Sequence, residues 1–149
     1  MRTVIQRVDR AAVEVDGELV GKIQEGILAY VGIEKGDTEK EVAFSADKIV
    51  NLRIFPDDHG RMNLSVKDIG GSILSISQFT LASYIKKGRR PDFSNAEDPQ
   101  KAELLYEKFN ELMALEIPVE KGVFAAMMKI DSINNGPVTF IIQQSPPQQ

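Results

Sequence analysis

The sequence predicts a single α/β domain, α+β-like in organisation: curled, mainly antiparallel, barrel-like β-sheets with two helices packed on the outside. Three observations carry this expectation. Segments of strand composition come in groups, separated by two windows with apolar residues at helical spacing. Asp16-Gly17 lies between two short β-type runs, the mark of a two-residue hairpin turn. No linker-like stretch and no long repeat divides the 149 residues, a length that suits one domain.

Thr3 to Val8 is apolar and β-branched apart from Gln6 and Arg7, and is the first expected strand. Ala11 to Val15 and Glu18 to Ile23 flank the Asp16-Gly17 turn, expected to be type I′. Glu25-Gly26 is a second turn, and Ile27 to Ile33 is almost continuously apolar, as in a strand buried on both faces. Thr38-Glu39-Lys40-Glu41 has the form of a capping box, with a hydroxyl at the cap and a carboxylate three residues on. Val42, Ala46, Ile49 and Val50 then mark one buried face of a helix.

Arg53-Ile54-Phe55 reads as a short strand and Pro56 to Gly60 as a turn cluster. Gly70-Gly71 precedes Ser72 to Leu81, an apolar strand that ends in polar residues. Ser83 to Asn95 is a basic, turn-rich loop. Asp98-Pro99 opens the second helix, cap first and proline at the first helical position. Ala102, Leu105, Tyr106, Phe109, Leu112 and Met113 form its apolar stripe. Beyond Pro118, Val123 to Ile133 and Val138 to Gln143 are the last expected strands, interrupted by Asn134-Asn135-Gly136-Pro137. The domain is expected to span residues 1–144, and the tail, residues 145–149, to be disordered because it offers nothing to pack.

Composition narrows the chemistry. Cysteine is absent, which excludes disulfides, zinc–thiolate sites and thiol nucleophiles and suits a reducing compartment. No apolar run approaches the roughly 20 residues of a membrane span, and Met1-Arg2-Thr3-Val4-Ile5 is unlike a signal peptide. The expected location is the cytoplasm, with no membrane partner. The net charge of −4 means that any contact with nucleic acid must come from a local basic patch.

Three segments break the core pattern. Ser77-Gln78-Phe79-Thr80-Leu81 puts two hydroxyls and an amide at the end of an apolar strand, where functional groups are commonly displayed. The same hydroxyls are equally suited to bonding the backbone at a sheet margin. Asn134-Asn135-Gly136-Pro137 reads as a turn in which glycine permits close backbone approach. Lys86-Lys87-Gly88-Arg89-Arg90 gives four cations in five residues, fit for phosphate contact or for a solvated loop. Familiar machinery is missing. The one histidine, His59, lies in an Asp-rich turn, where Asp57, Asp58 and His59 are poorly disposed to converge on a metal. There is no Gly-x-Ser-x-Gly elbow and no phosphate-cradling glycine motif.

Taken together, Ser77-Gln78-Phe79-Thr80-Leu81 and Asn135-Gly136-Pro137-Val138-Thr139 resemble the paired signatures of the D-aminoacyl-tRNA deacylase family, of the bacterial type. Ile5 to Val8, Arg53 to Phe55, Met62 to Leu64, Gly70 to Ser72, Arg90-Pro91, Phe93-Ser94, Gly122, Phe124 to Ala126 and Met128 resemble family positions in the same order. Met127 stands where members often carry an acidic residue.

The resemblance implies an enzyme that hydrolyses the ester of D-aminoacyl-tRNA, and of glycine wrongly loaded on alanine tRNA, without cofactor or metal. It implies a homodimer with active sites at the subunit interface, and assistance from the 2′-hydroxyl of the terminal tRNA adenosine. Ser77, Gln78, Phe79 and Thr80 would line the catalytic segment. Gly136 and Pro137, joined by a cis bond, would bind substrate in the partner's pocket together with Phe124, Ala126 and Met128. Arg7 would hydrogen-bond the Gly136 carbonyl, and Lys86, Lys87, Arg89 and Arg90 would contact tRNA. Two alternatives stand beside this one: a conventional esterase with Thr80 or Ser77 as nucleophile, and a non-catalytic tRNA-binding module.

Overall fold

The computed structural model describes residues 1–145; the expected disorder of the tail concerns residues that, Ser145 apart, lie outside these. Strand β1 (Arg2–Val15) organises the sheet. It pairs antiparallel with β2 (Glu18–Ile23) through residues 11–15, and with β3 (Gly26–Gly32) through residues 2–8. Its other edge pairs antiparallel with β8 (Lys129–Gln143). Helix α1 (Glu39–Asn51) and a small hairpin, β4 (Phe55–Pro56) with β5 (Met62–Leu64), intervene before β6 (Ser72–Ser77) returns parallel to β3. Helix α2 (Pro99–Ala114) then carries the chain to β7 (Val119–Lys121), parallel to β6. Parallel neighbours need a long crossover, and each helix supplies one.

The hairpin and both caps form as the sequence predicts. Asp16 and Gly17 both have positive φ, 50° and 80°. Thr38 and Glu41 close the capping box, and Asp98 accepts from the N–H of Gln100 with Pro99 opening α2. Ile27, Leu28 and Ala29 are fully buried, which accounts for the unbroken apolar run of β3. One face of the sheet packs on the helices: Ile5, Ile27 and Ile73 join Val42, Ile49, Phe109 and Met113 in one cluster. The other face lies inside the curl, where Val8, Val13, Leu28 and Leu74 meet. Gly21 lets β2 fold over this second cluster, since a Cβ there would stand 3.0 Å from the Lys121 carbonyl oxygen and 3.3 Å from Leu74 Cδ1.

Four boundaries differ from expectation. Thr3–Val8 and Ala11–Val15 are one strand; exposed Asp9 and Arg10 mark irregular pairing with β8, not an end. The Arg53–Phe55 strand is displaced to Phe55–Pro56. The strand expected to reach Leu81 stops at Ser77, and residues 79–82 form a 3₁₀ turn. The strand expected over Val123–Ile133 begins only at Lys129, while Val119–Lys121 forms a strand that went unpredicted. The apolar residues from 124 to 128 line a cavity instead of a sheet face, so their alternation does not report a strand.

Candidate active site

The C-terminal ends of the parallel strands β3 and β6 open onto a cavity of about 1110 Å³. The last ladder link is the N–H of Gln78 donating to the Val31 carbonyl at 2.7 Å. The chain then tightens, with the N–H of Leu81 donating to the Gln78 carbonyl at 3.2 Å. The N–H groups of Phe79 and Thr80 precede that first closed turn, where helical donors have no partner within the turn. Ser77, Gln78, Phe79 and Thr80 all line the cavity.

The facing wall comes from the turn before β8. Phe124, Ala126 and Met128 line it, as does exposed Met127. Ala126 N–H donates to the Val123 carbonyl at 3.2 Å, and Ala125 between them has φ 63°, a left-handed conformation costly for a residue with Cβ. Phe124 packs against Tyr106 with ring centroids 6.0 Å apart. Two of the sequence-derived segments, 77–80 and 124–128, thus meet across one space.

The basic loop stands at the rim. Tyr84 and Asp92 bond each other's backbone and close a hairpin around Lys86, Lys87, Arg89 and Arg90, all exposed. Lys86 lies over the Tyr84 ring, 4.5 Å from its centre. Phe93, just beyond the hairpin, meets Phe79 at 5.3 Å with the rings tilted by 58°. The loop is therefore tied to the cavity by an aromatic pair.

Gly136 and Pro137 are not in this cavity. They sit exposed at the tip of an excursion from β8, joined by a cis bond, as the resemblance implies. Arg7 reaches this excursion with a different partner from the one expected. Its Nε donates to the carbonyl of Asn135 at 3.1 Å, one residue before Gly136, and its Nη1 to the Ile54 carbonyl at 2.8 Å. The second donation is what turns the guanidinium: Ile54 draws one end of the fork toward the α1–β4 segment.

Tyr30 was missed by sequence reading. It lies half-buried in β3 and lines the cavity, and burial pushes its hydroxyl above the ordinary value, which keeps it a proton donor. The only signal was a polar tip in an otherwise aliphatic strand.

Among the described residues no carboxylate or imidazole stands free beside Thr80 to act as a base. Its Oγ1 accepts a hydrogen bond from Gln78 Nε2 at 3.1 Å. Of the cavity's carboxylates, Glu97 binds Lys101 Nζ at 2.9 Å and the N–H groups of Asp98 and Gly36. Burial alone would raise the Glu97 carboxyl, but these donors hold it below the usual range. Asp98 is taken by its capping role. His59 lies away in the β4–β5 turn, where Asp57 accepts from the His59 and Arg61 N–H groups at 2.9 and 3.0 Å. This is a site of backbone donors, hydroxyls and aromatic surface, suited to holding an activated ester and stabilising an oxyanion.

The sequence pattern of the D-Tyr-tRNA(Tyr) deacylase family matches residues 4–143. The chain belongs to this family. A D-aminoacyl-tRNA deacylase of Bacillus velezensis is 55% identical over 143 residues, covering 95% of this chain and 97% of the relative. One from Persephonella marina is 56% identical over 142 residues, with 95% and 97% covered. Among solved structures, the c-Myc DNA unwinding element binding protein superposes with a TM-score of 0.93 at 39% identity, over 98% of this chain and all of that one. A probable eukaryotic D-amino acid tRNA deacylase has a TM-score of 0.80 over 95% and 97%; at 16% identity it shares the fold.

Proposed function

We infer that this chain is a D-aminoacyl-tRNA deacylase: it hydrolyses the ester that joins a D-amino acid to tRNA, releasing both. Membership of the family supports the reaction class and the tRNA substrate. The observation that carries the site is the meeting of residues 77–80 with 124–128 across one cavity in which, among the described residues, no carboxylate or imidazole stands free beside Thr80. An aminoacyl ester is already activated, and its neighbouring 2′-hydroxyl can assist. The protein then needs to orient the ester and meet the developing negative charge with the N–H groups of Phe79 and Thr80.

The chiral element in this reading is the Gly136-Pro137 tip. The tip is exposed and outside its own subunit's cavity; in this reading it serves a second copy, and the working unit is a homodimer. The tip stands against Cα and rejects an L side chain, while a D side chain leaves toward solvent. Glycine, with nothing to clash, is accepted from alanine tRNA. The basic loop at the rim holds phosphates of the acceptor end. Among the described residues no helix is long and apolar enough to cross a membrane; with a tRNA substrate, the cytoplasm is the fitting location.

The deciding experiment compares release of D- and L-tyrosine from the same tRNA. Rapid release of the D form with the L form spared is expected. Equal release of both, or binding without turnover, would replace this reading by a non-selective esterase or an RNA-binding module.

A further inference from the structure

Strand β1 sets one residue, Arg7, against four of β8. The ladder pairs Val8 with Asn134 and Gln6 with Thr139, leaving residues 135–138 outside it. Backbone groups released from a ladder must find other partners or the segment splays. Arg7 Nε takes the Asn135 carbonyl, and Asn134 supplies the partner at the neck. Its Oδ1 accepts from the N–H of Val138 at 3.1 Å, and its Nδ2 donates to Thr139 Oγ1 at 3.2 Å. From β1, Gln6 Nε2 donates to the same Thr139 oxygen at 3.3 Å. On the opposite limb, Asn135 Nδ2 donates to Asp9 Oδ1 at 2.7 Å. Every one of these bonds is made at the base. Val138 is buried beneath the neck, while Gly136 and Pro137 remain exposed beyond it.

We propose that Asn134 is a positioning residue for the Gly136-Pro137 tip: its carboxamide closes the neck of the excursion and so sets the direction in which the tip leaves the sheet. The proposal rests on the reading of that tip as the chiral wall. A primary amide suits the task because one planar group must offer an acceptor to a backbone N–H and a donor to a hydroxyl. Aspartate keeps the acceptor, and the Thr139 hydroxyl can turn to donate to it. Leucine has the same outline with neither group.

The test uses the full chain, tRNA charged with D- or L-tyrosine, and amide hydrogen exchange at Val138. Asn134→Leu is expected to lose Val138 protection and to lower the ratio of D to L hydrolysis by about tenfold, the effect of one or two neutral hydrogen bonds. Asn134→Asp is expected to retain most of both. A wild-type ratio in Asn134→Leu would overturn the proposal, because loss of stability alone lowers both rates together. Should Asn134→Leu not fold, Thr139→Val carries the same test: a lowered ratio supports the neck, and an unchanged one overturns it. If the wild-type chain shows no preference for the D form, the functional reading fails, while Val138 exchange still reports whether Asn134 closes the neck.

Discussion

Gln78 donates its side-chain amide proton to the hydroxyl oxygen of Thr80 across 3.1 Å. A nucleophilic hydroxyl needs the opposite, a base that removes its proton. On the proposed mechanism Thr80 serves as a positioning group, and this bond supplies no base for it. Thr80→Ala is expected to reduce turnover by less than about 100-fold, the low end of what a positioned proton-transfer group contributes. Loss of a true nucleophile costs nearer 10⁶. Rapid-quench turnover with mass spectrometry of the protein checks this. An acyl group trapped on Thr80 or Ser77 would sink the idea.

The loop carrying Lys86, Lys87, Arg89 and Arg90 is tied to the cavity by the Phe79–Phe93 pair. Neutralising all four is expected to raise the KM for charged tRNA. It should also flatten the slope of log affinity against log salt by up to about 3, at roughly 0.7 per phosphate contact on single-stranded RNA. Binding measured over a salt series decides it. An unchanged slope with intact turnover would make the loop a solvated one.

These two cases mark how far the sequence was legible. Both helices were readable because their caps and apolar stripes report local physics: Thr38, Asp98 and Pro99 act within one turn. The buried strand β3 was readable because burial on both faces leaves no polar alternation. The region from 119 to 128 was not. Phe124, Ala126 and Met128 are apolar for the sake of a cavity, and Ala125 takes a left-handed φ that no local motif announces. The family resemblance implied that Arg7 bonds the Gly136 carbonyl; it bonds the Asn135 carbonyl instead, and its bond to the Ile54 carbonyl, 47 residues away, is set by tertiary packing.

Asp37 holds the α-amine of Met1 at 2.7 Å, both groups fully buried, and also accepts from the N–H of Glu34. Asp37→Ala leaves a buried cation whose remaining partners among the described residues are the Gln144 carbonyl and the more distant Glu34. The expected cost is about 3–5 kcal/mol, the range for breaking a buried pair by removing one member. Urea denaturation measures it; a loss below about 1 kcal/mol would mean that the pair behaves like an exposed one.

Acid stability has a local source in Asp57 and Asp68. Backbone N–H groups of Arg61 and Ser65 respectively, the leading causes, hold these carboxyls below the ordinary value of 3.8. A carboxyl lowered by folding contributes stability that is present above its unfolded pKa and is lost as pH falls through its folded one. The chain is therefore expected to lose stability on acidification below about pH 3.8. Asp57→Asn should be less stable at neutral pH and show a shallower acid limb. Thermal melts from pH 2 to 7 would test this, and parallel curves for the two proteins would refute it.

The proposed chiral wall makes its sharpest demand on Gly136. Its φ is +135°, and a Cβ there would stand 2.6 Å from Val138 Cγ2, 3.0 Å from Val138 N and 3.2 Å from Arg7 Nη2. Only the Arg7 contact is the end of a flexible side chain, so the excursion itself must shift to admit a methyl group. Mirror-image substrates differ only in which way the side chain leaves Cα, and a wall of bare backbone approaches Cα more closely than any side chain can. Gly136→Ala thickens the wall and displaces it at once. Overpacking of this kind costs about 1–3 kcal/mol, so D-tyrosine release should fall by roughly 5- to 150-fold. The displaced wall should also spare L-tyrosine less well. Release of each isomer from the same tRNA, at matched enzyme concentration, gives both numbers. If Gly136→Ala releases D-tyrosine at the wild-type rate and leaves the L-ester untouched, the selection of hand lies elsewhere in the cavity.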